Sequence, residues 1–181
     1  MKAVETLARL WARRTPNARA KVASALPLAY ARTDPPIGNR TMPLTLAQAN
    51  TIIAAALAKA REMKIRPLAV VVLDEAGHVK SAQREDGASM FRIDIATGKA
   101  WASVGMGASS RTLLGRAREN PQFFGALAAT AQGKFLPQTG AVLIKDASGQ
   151  VLGAAGASGG TGDEDEAACI AGIEAAGLIH G

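Results

Sequence analysis

The residues best suited to chemistry stand where an apolar run meets a final helix, VLGAAGASGGTGDEDE, from Val151 to Glu166. Gly156, Ser158, Gly159, Gly160 and Thr161 make a small-residue turn there. Without Cβ atoms such a turn lets a ligand approach backbone N–H groups at a helix N-terminus. Asp163, Glu164, Asp165 and Glu166 follow at once. They suit the positive end of the helix dipole but repel an anion unless a cation intervenes. The segment therefore reads either as a ligand-binding turn or as a glycine turn with acidic capping.

Arg84, Glu85, Asp86, Arg92, Asp94 and Lys99 form a second constellation. Asp94 and Gly98 are four residues apart and share a helix face, with Lys99 at its edge. If Arg84 and Lys99 face one pocket they grip a carboxylate; the alternative is a set of exposed ion pairs with little energetic consequence. His78 falls in a predicted turn, and His180 is the penultimate residue. The lone cysteine, Cys169, excludes an intrachain disulfide and a multi-cysteine metal site. His78 is then either a solvated turn residue or the single axial ligand that a haem requires from one subunit. Ser158 in GASGG lacks the G-x-S-x-G pattern, and neither a P-loop nor H-E-x-x-H is present, which argues against a triad hydrolase.

The elements that must position these groups follow from periodicity. Thr45 and Gln48 open a helix in which Leu46, Ala49, Ile53, Ala56, Leu57 and Ala60 recur at helical spacing, ending near Lys64. LAVVVLD (68–74) reads as a buried central strand, and Glu75 to His78 turn it into the more polar VKSAQRE, a hairpin over 68–85. Residues 90–105 give a helical pattern interrupted at Gly98. A further helix runs from Ser109 or Ser110 to about Glu119, and Pro121 begins another turn of structure. Two apolar strands joined by Asp146 to Gly149 form a second hairpin, and the last helix is expected from about Gly162 to Leu178. The order predicts an α+β fold, an antiparallel sheet covered by helices, not a doubly wound nucleotide-binding fold.

Of the 181 residues 48% are apolar and only 4% aromatic, so one domain with a core rich in small residues is expected. The net charge of +6 lies entirely in the first 40 residues, where eight Lys and Arg face two acids; beyond them 13 bases balance 13 acids. The body therefore offers no polyanion groove, and no nucleic-acid partner is expected. TDPPIGN (33–39) reads as a linker, dividing a basic extension (1–40) from a domain over 41–181. No stretch reaches the ~20 apolar residues that span a bilayer. A cytoplasmic location is expected; the alternative is export through Arg13-Arg14 and the weakly leader-like VASALPLAYA.

Five segments in order, LTLAQANTIIAAALAKAREM, LAVVVLDEAGHVKSAQREDGAS, IDIATGKAWAS, TGAVLIKD and VLGAAGASGGTGDEDEAACIAGIEA, resemble the GlcG/HbpS family, which includes the C-terminal domain of PduO. The similarity covers about residues 42–179; the D-x-x-G-H turn, the D-I-A-x-x-K-A helix and the S-G-G-T-x-x-x-D-E junction carry it most specifically. It implies a central antiparallel sheet of about five strands flanked by helices, in a homo-oligomer of four or eight copies. It also implies haem or iron handling, or a place in small-organic-acid or cobalamin metabolism. The matching positions are Asp74, Gly77, His78, Arg84, Asp86, Gly87, Asp94 and Lys99, then Ser158, Gly159, Gly160, Thr161, Asp165 and Glu166. VGMGASSRTL departs from the pattern at Gly105 and Gly107, and the basic extension lies outside it.

Three functions follow from residues and resemblance together. The first is a haem-binding protein with His78 on the iron and Arg84 or Lys99 on a propionate. The second is an enzyme acting on a small carboxylated or hydroxylated metabolite between Lys99, Asp94 and the Ser158–Thr161 loop, with Lys99 or Asp165 supplying acid/base chemistry. The third is an accessory or sensory subunit that docks a partner through its extension.

Overall fold

The computed structural model describes residues 43–181. The basic extension, the linker and the leader-like features lie outside the described residues.

The chain runs through α1 (Leu46–Glu62), β1 (Ala69–Asp74), β2 (Val79–Arg84), α2 (Phe91–Met106), α3 (Ser110–Glu119) and α4 (Pro121–Thr130). It continues through β3 (Ala141–Lys145), β4 (Val151–Ser158), α5 (Gly162–Ala175) and a two-residue β5 (Ile179–His180). The five strands form one sheet in the order β2-β1-β4-β3-β5, with every neighbouring pair antiparallel. This is the α+β architecture that the element order implied.

Strands β1, β3 and β4 are buried on both faces, and strand alternation decides which side chain goes where. Val71, Leu73, Ala141, Leu143 and Ala154 meet Ala96 and Ala100 of α2 on one face. Val70, Val72, Val142, Ile144, Ala155 and Ala157 meet α1 and α5 on the other. Each fully buried Val or Leu contributes on the order of 1.5–3 kcal/mol. The alanines and glycines of β4 bring α2 close: a Cβ on Gly156 would stand 2.4 Å from the carbonyl oxygen of Ala96.

The N-terminus of α1 is the capping box that its sequence announces. Gln48 N–H donates to Thr45 Oγ1 at 3.2 Å, and Thr45 N–H donates to Gln48 Oε1 at 3.0 Å. Two expectations are corrected. The helix over 91–106 is continuous through Gly98, because that glycine is a packing site: Leu136 N–H donates to its carbonyl, and a Cβ would lie 3.0 Å from Leu136 Cβ. The last helix ends at Ala175, and the following residues return as β5 beside β3.

Candidate functional site

Lys99 projects from α2 into the interior and is only 6% exposed. Its ammonium donates to Asp165 Oδ2 at 2.9 Å and to the carbonyl oxygen of Ala157 at 3.0 Å. An ammonium has three donors, so one remains after these two bonds. Asp165, 1% exposed in the first turn of α5, accepts from Gly160 N–H through its other oxygen, Oδ1, at 2.9 Å. Each carboxylate oxygen thus already holds a hydrogen bond, and Asp165 positions the lysine and the loop. Gly140 makes room for the pair: its φ is +121°, and a Cβ there would lie 2.6 Å from Lys99 Nζ.

Lys99 and Asp165 stand at the wall of a cavity of about 690 Å³. Arg92, Ile95 and Lys99 face it from α2, and Arg111, Leu114 and Arg118 from α3. Leu136, Gln138 and Thr139 close it from the segment before β3, and Ser158, Gly160, Gly162 and Asp163 from the β4–α5 junction. Ser110 fastens α3 to the sheet, its Oγ donating to the Ala141 carbonyl at 2.9 Å and accepting from Ala141 N–H at 2.8 Å. Arg92 Nη1 donates to Ser158 Oγ at 3.2 Å. Arg111 bridges Asp163 and Glu166, with its Nε 2.8 Å from Glu166 Oε2. Among the described residues neither Arg92 nor Arg118 is paired with a carboxylate. With four basic side chains against two acids, the lining favours an anion.

Two of the junction's N–H groups are taken up within the protein, as the reading of a glycine turn with acidic capping has it. Gly160 N–H is held by Asp165, and Thr161 N–H donates to Glu164 Oε2 at 2.7 Å in a second capping box. That bond holds the Glu164 carboxyl below its ordinary range. Gly159 is glycine because Leu68 lies against it: a Cβ would stand 2.2 Å from Leu68 Cβ. Neither Gly159 nor Thr161 lines the cavity, whereas Ser158 and Gly160 do.

Other predicted residues fall elsewhere. Asp94 is exposed on α2 and absent from the lining. Arg84 does not share the Lys99 cavity; it donates to the Ala88 carbonyl and borders a separate hollow of about 460 Å³ with Arg61 and Glu85. His78 has an 80% exposed side chain, with Nδ1 3.8 Å from Asp74 Oδ1. The D-x-x-G-H segment around it is turn chemistry. Asp74 Oδ1 accepts from the N–H groups of Ala76 and His78, and Gly77 adopts φ +78°. The β3–β4 turn repeats the device without histidine: Asp146 Oδ1 accepts from Ser148 and Gln150 N–H, and Gly149 adopts φ +84°.

Arg111, Arg118, Gln138 and Thr139 escaped the sequence reading. The signal for the arginines was present as spacing, since Arg111, Leu114 and Arg118 recur at i, i+3 and i+7. Gln138 and Thr139 sit in an irregular segment with no periodicity to mark them.

The model of a family described as haem degrading protein HbpS-like matches residues 44–174, the whole span from the entry of α1 into α5. The chain belongs to the HbpS-like family. Among solved structures, the protein ORFY of Klebsiella pneumoniae is similar, at 26% identity with a TM-score of 0.69, over 79% of this chain and 97% of that one. HbpS of Streptomyces reticuli, solved as a double mutant, is 26% identical with a TM-score of 0.64, over 76% of this chain and 89% of that one. A haem complex of PduOC shares the fold, at 23% identity and a TM-score of 0.69, over 76% of this chain and 98% of that one. No curated protein sequence matches this HbpS-like chain. Within the HbpS-like match lie all the residues that face the Lys99 cavity. No described helix is long and apolar enough to cross a membrane.

Proposed function

We propose that this HbpS-like protein binds a carboxylate-bearing small molecule in the cavity beside Lys99. The observation that carries this reading is a buried, charge-paired lysine on the wall of a cavity that also presents Arg92 and Arg118 without carboxylate partners among the described residues. The cavity volume of about 690 Å³ falls within the range of small-molecule sites. Arg92 is half-buried and planar, suited to a bidentate grip on a carboxylate, and the third donor of Lys99 is free for a second oxygen. If the ligand is also turned over, Lys99 is the acid within reach, and Asp165 holds it in place. The test is calorimetric titration of octanoate into the full chain and an Arg92→Ala variant. Saturable binding weakened about tenfold by the substitution is the expected result; equal affinity in the two proteins rejects the site.

Haem is a second reading, favoured by the family description and by the haem complex of a structural relative. The cavity suits propionates, through Arg92 and Lys99, and offers Ile95, Leu114 and Leu136 to an apolar ring. It does not suit the iron, because none of its lining residues is a His, Cys, Met or Tyr. His78 is accessible but lies outside the cavity, beside the exposed Val79. Haem and iron-free protoporphyrin therefore distinguish the two placements. Equal binding of both, weakened by Arg92→Ala, places the carboxylates in the cavity; binding of haem alone, lost in His78→Ala, places the iron on the turn.

Self-association belongs to the same reading. Met90 and Phe91 are adjacent, and both are more than half exposed, as solvent-facing apolar pairs at subunit contacts are. Light scattering of the full chain is expected to give a homo-oligomer, and a monomer rejects it.

A further inference from the structure

Resting on the reading of the Lys99 cavity as a carboxylate site, we infer that its ligand carries two anionic groups separated by an apolar spacer. Two helices face the cavity with one pattern. Arg92, Ile95 and Lys99 of α2 stand at i, i+3 and i+7, and so do Arg111, Leu114 and Arg118 of α3. That spacing puts three side chains on one helix face, with the outer two roughly 10 Å apart along the axis. Each helix thus offers a cation, an aliphatic side chain and a second cation.

One cation of each stripe is neutralised inside the protein. Lys99 is held by Asp165 at 2.9 Å, and Arg111 by Asp163 and Glu166. All three acids stand at the start of α5, so the neutralised cations gather there. The other two have no acid partner among the described residues. Arg92 is anchored on Ser158 Oγ at the end of β4, while Arg118 stands two helical turns beyond the Arg111 clamp, roughly 10 Å further along α3. Ile95, Leu114 and Leu136 supply the aliphatic surface of the same cavity. A monoanion with an apolar tail gripped by Arg92 and Lys99 leaves Arg118 without a counter-charge. An α,ω-dicarboxylate engages both arginines and covers the aliphatic surface with its chain, so the ligand class assigned is a dicarboxylate with an aliphatic or aromatic middle.

Titration calorimetry with octanedioate and octanoate, on the full chain and on Arg118→Ala and Arg116→Ala, tests this. Arg118 and Arg116 are both exposed, so neither variant disturbs folding, and Arg116 does not line the cavity. The expected result is an affinity about tenfold higher for octanedioate. Arg118→Ala is expected to abolish that advantage, and Arg116→Ala to leave it intact. Equal affinities in the parent chain, or a preference that survives Arg118→Ala, overturn the inference while leaving the cavity as a carboxylate site. Binding of neither compound overturns both.

Discussion

At the β4–α5 junction most charges have a partner: Lys99 has Asp165, Arg111 has Asp163 and Glu166, and Glu164 accepts from the N–H of the residue that caps its helix. At the β1–β2 turn the charges are loose. His78 stands in solvent 3.8 Å from Asp74, and Asp74 spends its carboxylate on the backbone of its own turn. For Lys99 and Asp165 burial makes the difference. A charge removed from water costs several kcal/mol unless it is paired and hydrogen-bonded, so a buried pair at a cavity wall is held at real expense; an exposed histidine costs nothing to keep.

Asp165→Ala probes the buried side of that contrast most severely. It leaves the Lys99 ammonium buried without its counter-charge and is expected to lower stability by about 3–5 kcal/mol, measured from denaturant midpoints. Replacing both partners by apolar groups, Lys99→Met with Asp165→Leu, is expected to cost far less, because no orphan charge remains. A double variant as unstable as the single one would contradict the assignment of the loss to the unpaired charge.

Gly140→Ala comes next. The backbone at φ +121° and the 2.6 Å approach of Lys99 Nζ leave no room for a methyl group, so a loss of about 1–3 kcal/mol is expected in the same assay. An unchanged midpoint would show that the ion pair moves aside freely.

His78→Ala should shift stability by less than about 0.5 kcal/mol, since the turn is held by Asp74 and Gly77 while the imidazole is solvated. A loss beyond 1 kcal/mol, read by thermal melting, would mean that the ring has a partner the described residues do not supply.

The smallest effect concerns pH. Glu164 has its carboxyl depressed by the Thr161 N–H, so its capping contribution is complete above the unfolded value, about 4.3. It is lost as pH falls through the lower folded value. Thermal melts of the parent chain and Glu164→Gln are expected to differ at pH 7 and to converge towards pH 3; a constant gap would place the effect in packing.

The same contrast explains what could be read in advance. The Thr45 and Gln48 cap, the two hairpins and the final helix are written in local patterns; the pairing of β1 with β4 at the centre of the sheet is not, because it joins strands far apart in the chain. Lys99, Asp165 and Ser158 were legible as candidates from their place in the helix and at the strand-to-helix junction. Their partners were not, because the carbonyl of Ala157 and the room left by Gly140 come from distant chain segments. Asp94 and Arg84 were misplaced for the reverse reason: proximity to Lys99 in sequence put them near it in expectation, while helix rotation and the sheet put them on other surfaces. The D-x-x-G-H turn looked chemical until a second turn with the same geometry, Asp146 to Gln150, appeared without the histidine.

Where an anionic ligand sits is the most direct question to put to this protein. A crystal grown with 5-bromopentanoate allows the bromine to be located by anomalous scattering and the carboxylate to be built from it. The account predicts the molecule in the cavity between α2 and α3, its carboxylate on Arg92 and Lys99 and its chain against Ile95 and Leu114. Density at the His78 turn, or in the hollow beside Arg84 with the Lys99 cavity empty, would contradict it.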